Sequence, residues 1–285
     1  MTVLAIASLG GTFWIRAREP VMTSALPPAF PGRVIQVGGH DIRILERGAG
    51  PAVLLVAGVG GSVANWPVSL LERLAVDHHV IALDLYGMGF SERSSDFTYG
   101  FALWSQQLVA VLDVLNIERA SVVGHSLGGT VGIFFAANYP ERVDRVVLAG
   151  SAISFPWSFP LLMVPGPGEL FLASQEVFGP TFSPEHRAQA IAAYRIRGTR
   201  VALLRYVRHS ILEATGLSPA VAAVRAKVLQ LHGTVDEEVP FSAAERLQKQ
   251  LRYSRLVPIE GASHFLMFDV PERFTSEVEA FLSTQ

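Results

Sequence analysis

Residues 121–128 read Ser-Val-Val-Gly-His-Ser-Leu-Gly, an apolar run closing on the motif Gly124-His125-Ser126-Leu127-Gly128. The segment after it, Leu127–Asn138, reads as a helix. A G-x-S-x-G lodged between a strand and a helix has a mechanical meaning. The serine sits on a very tight turn, so its hydroxyl projects clear of the sheet. Gly124 and Gly128 are small because strand and helix cross so closely there that a Cβ would clash. The helix begins at the serine, and the amide of Leu127 therefore points at any oxyanion formed on a bound carbonyl. The simpler alternative, a glycine-rich turn with a surface serine, leaves the flanking elements unexplained.

Working outward, Ala52–Val56 (AVLLV), Val80–Asp84 (VIALD), Val143–Ala149 (VDRVVLA), Lys227–His232 (KVLQLH) and Arg255–Glu260 (RLVPIE) are compact apolar runs bounded by turn residues. Continuous apolar runs suit strands covered on both faces, as in a parallel sheet. Between them, Phe101–Leu115 carries Leu108, Val111, Leu112 and Leu115 on one helical stripe, Ala243–Leu251 reads similarly, and Pro271–Leu282 opens with proline in its first turn. Ahead of the alternation, Arg33–Val37 and Asp41–Glu46 flank Gly38-Gly39, a hairpin signal. The expectation is an α/β fold, a mostly parallel twisted sheet flanked by helices.

One block breaks the rhythm. From Ser151 to Ser218 there is no convincing strand, the start is rich in aromatics and prolines (SFPWSFPLLMVPGPG), and Arg187–Leu212 is long and helix-compatible. The reading is a helical cap (151–218) inserted after the sixth strand of a core built from 33–150 and 219–285. Residues 1–32 form an apolar N-terminal segment and a proline-rich linker.

A serine hydroxyl needs a base, and the base needs an orienting acid. His264 lies just past the last strand and Asp236 just past the preceding one, which brings both to the sheet edge that carries Ser126. Glu237 and Glu238 rival Asp236 as the acid, whereas Asp144 opens its strand at the wrong edge. Chain order is Ser, Asp, His. His125 is expected to support the site from behind, because adjacent side chains diverge at a sharp turn. His232 is expected to stabilise a turn. Asp84 is expected to satisfy backbone amides in the turn Leu85–Gly89.

The blocks GHSLGG, LHGTVDEEVP, IEGASHFLMFDVPERF and VIALDLYGMGFSERS resemble those of the α/β-hydrolase family, particularly its capped esterase, lipase and C–C-hydrolase branch. The similarity runs from about Arg33 to the C-terminus and is weakest in the cap. It implies an α/β-hydrolase fold and a second oxyanion donor at the backbone amide of Val59. Where the family commonly has His-Gly, this chain has Ala57-Gly58. The resemblance implies a serine hydrolase that cleaves an ester-like substrate, an apolar carboxylic ester or lipid, through an acyl-enzyme. The alternatives are a C–C-bond hydrolase, a lactonase, a cofactor-free perhydrolase, or a non-hydrolytic cyclase or ligand-binding member. Serine at the elbow argues against haloalkane dehalogenases and epoxide hydrolases, which use aspartate there.

Composition narrows the rest. With 23 basic against 25 acidic residues among 285 there is no basic stripe, so nucleic acid is not an expected partner. The chain has no cysteine, which excludes disulfides, thiolate metal sites and a cysteine nucleophile. Asp77-His78-His79 reads as a solvated loop rather than a metal site, and neither a metal nor an organic cofactor is expected. Gly58-Val59-Gly60-Gly61 imitates a dinucleotide fingerprint, but Val63 stands where its last glycine should be.

Half of the residues are hydrophobic and the mean hydropathy is +0.35, high for a soluble chain. Phe155, Trp157, Phe159, Met163 and Phe265 are read as an apolar substrate pocket. Met1–Ile15 is almost wholly apolar. As a helix it would span roughly 22 Å, short of a membrane's ~30 Å core. It is read as a membrane-surface anchor or a helix packed on the protein itself, and the chain as cytoplasmic or membrane-associated. It lacks the leading Lys or Arg of a secretory signal.

Overall fold

The computed structural model describes Pro27 and residues 29–151 and 182–284. The strands are β1 (Arg33–Val37), β2 (His40–Arg47), β3 (Ala52–Val56), β4 (His79–Leu83), β5 (Ala120–His125), β6 (Val143–Ala149), β7 (Lys227–Gly233) and β8 (Ser254–Ile259). They form one sheet in the order β1-β2-β4-β3-β5-β6-β7-β8. β1, β2 and β4 pair antiparallel, and every pairing from β4 through β3 to β8 is parallel.

The patterning explains the order. Every residue of β3 and β5 is buried, because helices cover both faces of the sheet there. β8 is half exposed and holds Pro258, whose missing N–H is tolerated because an edge strand pairs on one side only. The β1–β2 hairpin pairs Val37 with His40, and its two loop glycines have φ of 60° and 84°, as a type I′ turn requires.

The described helices are α1 (Val68–Leu74), α2 (Phe101–Val114), α3 (Leu127–Asn138), α4 (Pro184–Tyr194), α5 (Thr199–Ala223), α6 (Phe241–Gln250), α7 (Leu266–Asp269) and α8 (Pro271–Leu282). α4 and α5 lie between β6 and β7, where the sequence put its helical insertion. The single stretch Arg187–Leu212 is two helices, divided where Gly198 adopts φ 98°. α5 also runs through Pro219 to Ala223, past the expected boundary at 218. Among the described residues no helix is long and apolar enough to cross a membrane. Met1–Ile15 lies outside the described residues.

Because the parallel strands point one way, their carboxyl ends deliver a set of loops to one edge. These carry Gly58 and Val59 after β3, Asp84 after β4, Ser126 after β5, Gly150 and Ser151 after β6, Asp236 after β7 and His264 after β8.

Candidate active site

Ser126 joins β5 to α3 with φ 50° and ψ −120°, a conformation an L-residue adopts at a cost of about 1–3 kcal/mol. Backbone hydrogen bonds hold it there. Its amide donates to Ala149 O at 2.9 Å, and its carbonyl accepts from Gly129 N at 3.0 Å and from Ser151 Oγ at 2.6 Å. The glycines around it are dictated by space. A Cβ on Gly124 would fall 2.4 Å from Gly129 N, so strand and helix do cross at backbone distance. On Gly128 it would fall 2.0 Å from Val56 O, so that constraint comes from the neighbouring strand β3 rather than from β5.

Leu127 opens α3, which sets its amide at the positive end of the helix beside the serine. The loop after β3 comes equally close. A Cβ on Gly58 would stand 3.1 Å from Ser126 Cβ and 3.2 Å from His125 Nδ1, and the half-buried Val59 follows it.

His264 Nδ1 lies 2.9 Å from Asp236 Oδ2, with both side chains buried. A carboxylate can only accept, so Nδ1 carries the proton and Nε2 is left with its lone pair. The other carboxylate oxygen, Oδ1, accepts from the amides of Glu238 at 2.9 Å and Val239 at 2.8 Å. Of the three consecutive acids, Asp236 is therefore the one bonded to the histidine. Asp144 pairs with Arg119 at 2.6 Å at the other end of its strand. Gly150, which sequence reasoning missed, backs the pair at φ 53°. A Cβ there would lie 3.3 Å from His264 Nδ1 and 3.4 Å from Asp236 Oδ2.

Two more histidines surround this pair as neutral donors. His125 Nε2 donates to the backbone carbonyl of His264 at 3.0 Å, and His232 Nε2 donates to Val239 O at 2.7 Å. Burial pushes the His125 imidazole well below its ordinary range, with His264 adding to the effect, and burial pushes His232 down as well. Phe265 packs its ring 5.3 Å from that of His264 and 5.1 Å from that of His125. The other expected pocket residues, Phe155, Trp157, Phe159 and Met163, lie outside the described residues.

Asp84 does satisfy backbone amides, but not those of Leu85–Gly89. Oδ1 accepts from Val63 N at 2.7 Å and Oδ2 from Phe90 N at 2.6 Å, tying the loop after β3 to the loop after β4. Facing it, 3.7 Å away, is the fully buried Arg43 of β2. Arg43 also donates to Pro31 O and Gln189 Oε1 and lies over the Phe90 ring. Sequence reasoning did not find Arg43. The available signal was a charge between Ile42 and Ile44, inside a strand whose neighbouring positions are apolar. Of Asp77-His78-His79, the last residue opens β4 rather than lying in a loop. His79 bonds Glu46 at 3.1 Å, and no group of three metal-ligating side chains occurs among the described residues.

With this geometry in place, three comparisons bear on the chain. Residues 51–177 match the protein family described as alpha/beta hydrolase fold. A 2-hydroxymuconate semialdehyde hydrolase of Pseudomonas sp. (strain CF600) is 32% identical over 277 residues, covering 88% of this chain and 94% of the relative. A meta-cleavage product hydrolase from Pseudomonas fluorescens superposes with a TM-score of 0.77 at 26% identity, covering 88% of this chain and 97% of that one. An esterase from Rhodococcus sp. superposes with a TM-score of 0.75, also at 26% identity, covering 90% of this chain and 99% of that one.

Proposed function

Because the chain is a hydrolase of the α/β-hydrolase family, we propose that it cleaves the carbon–carbon bond beside a carbonyl in a conjugated 2-hydroxy-6-oxodienoate. The observation that carries this is the 32% identity, over nearly the full length of both chains, to an enzyme named for such a substrate. It replaces the ester as the first reading.

The chemistry suits the triad. The dienol first ketonises, moving its proton to the carbon next to the distal carbonyl. Neutral His264 takes the proton of Ser126, whose oxygen adds to that carbonyl, and the amides of Leu127 and Val59 hold the oxyanion. The C–C bond then breaks. Its electron pair enters the conjugated 2-oxo system as a dienolate, which receives a proton from His264. Water, activated by His264, releases the acyl group as a carboxylic acid. Overall, one water is consumed and one bond is cut.

The test is the purified full chain with 2-hydroxymuconate semialdehyde, following loss of its conjugated absorbance and release of formate. Turnover should occur, and Ser126→Ala should reduce kcat on the order of 10⁴-fold or more. The likeness to the Rhodococcus esterase favours a second reading, hydrolysis of a carboxylic ester through the same acyl-enzyme. If p-nitrophenyl acetate is turned over with the higher kcat/KM, the ester reading stands and the carbon–carbon reading falls.

A further inference from the structure

A cavity of about 320 Å³ opens between the loop after β4 and the junction of α4 and α5. Three arginines line it: Arg93 from the loop, Arg197 from the junction and Arg205 from α5. Among the described residues no aspartate or glutamate does. The nearest acids in sequence are already engaged. Glu92 binds His40 at 2.9 Å and the Asp41 amide at 3.0 Å, and Asp96 accepts from Ser95 Oγ at 3.1 Å.

The wall is built rather than incidental. Arg93 braces loop against helix, donating to Gly89 O at 2.6 Å and to Thr199 Oγ1 at 2.9 Å. Arg205 Nη1 donates to Ser95 O at 2.6 Å, which fixes its guanidinium while leaving other N–H groups to donate. The buried Tyr99 closes the loop, its hydroxyl accepting from Ser94 N and donating to Ser94 O, both at 3.0 Å. Ser94 Oγ accepts from Asp96 N at 3.1 Å, so its own hydrogen is free to donate. Arg197 is exposed at the rim.

The floor adds to the field. Gly198 caps α5, which brings the positive end of this 25-residue helix to the cavity, and no acidic side chain occupies its first turn. Two braced guanidiniums, a third at the rim, a hydroxyl donor and a helix N-terminus around one space make a receptor for a compact, multiply charged anion. Guanidinium forks match phosphate oxygens, and a phosphate monoester carries close to two charges at neutral pH.

We propose that this cavity binds a phosphate group, as free phosphate, a soluble phosphate ester or the headgroup of an acidic lipid. The site is independent of what Ser126 hydrolyses. It is tested by titrating the full-length protein calorimetrically with sodium phosphate at constant ionic strength, using sodium chloride as control. Saturable binding is expected in the wild type, weakened at least about tenfold in each of Arg197→Gln and Arg205→Gln. Hydrolysis by the two variants should stay within about twofold of wild type, which shows that they fold.

Glycerol 1-phosphate, and phosphatidylcholine vesicles with or without phosphatidic acid, then separate a soluble source from a lipid one. Binding to either, lost in both variants, upholds the site. No saturable binding up to about 20 mM phosphate, or binding undiminished in both variants, overturns it.

Discussion

Asp236 shows how one carboxylate can do two jobs with two oxygens. Oδ1 is spent on the amides of Glu238 and Val239, and Oδ2 faces His264 Nδ1 at 2.9 Å. In Asp236→Asn the amides retain their acceptor only if the new NH₂ turns toward His264. The imidazole would then protonate on Nε2 and could no longer accept the serine's proton. Activity should fall about 10⁴-fold while the melting temperature changes by only a few degrees. Near-normal kcat, with Glu237→Gln inactive, would move the acid. Gly128→Ala tests the elbow by volume, since its Cβ would sit 2.0 Å from Val56 O, a backbone atom that cannot swing aside. Urea unfolding should report a loss of about 1–3 kcal/mol, and wild-type stability would refute the close approach. The positions of Ser126 and His264 were legible because a residue directly after a parallel strand can lie only at the carboxyl edge. The choice among Asp236, Glu237 and Glu238 was not, because it depends on which side chain the turn aims inward. Gly150 and Ser151 were hidden for the same reason, as their role exists only once β6 lies beside β5.

At the scale of elements, the strands expected from apolar runs appear within a residue or so of their bounds, because burial on both faces removes the need for alternation. The insertion was harder to read. Arg187–Leu212 read as one long helix-compatible stretch, yet the left-handed Gly198 ends one helix and starts another. α5 continues through Pro219 to Ala223, so local propensity yields there to its surroundings. What ties separate elements together is the buried Arg43–Asp84 contact, which links β2, the loops after β3 and β4, Pro31 and α4. Asp84→Ala would strand a buried guanidinium and leave the Val63 and Phe90 amides without their acceptor. The expected cost is about 3–5 kcal/mol in chemical unfolding, with catalysis impaired because Val63 anchors the loop carrying Val59. Asp84→Asn, which keeps one acceptor, should fall between the two. An Ala variant within about 0.5 kcal/mol of wild type would show that the pair holds nothing together.

For the molecule as a whole, the buried histidines set an acid limit on stability. His125 and His232 are 2% and 1% exposed, and both titrate below the ordinary histidine value of 6.5, chiefly because burial disfavours the imidazolium. In the unfolded chain they titrate near 6.5. Above that pH both states are neutral at these positions and the native contribution is fully present. As pH falls below 6.5 the unfolded chain takes up protons that the fold refuses, so stability declines toward the lowered folded values. At one pH unit below, each such histidine costs up to about 1.4 kcal/mol, and for a chain of this size 1 kcal/mol moves the melting temperature by about 2–4 °C. Melting temperatures measured from pH 7.5 down to pH 5 should therefore drop by several degrees, with the slope setting in near pH 6.5. His232→Gln keeps a donor for Val239 O but cannot titrate, so its slope should be visibly shallower than that of the wild type. If the two slopes coincide, the acid sensitivity arises elsewhere than at His232, and the link between its burial and the protein's pH range is wrong.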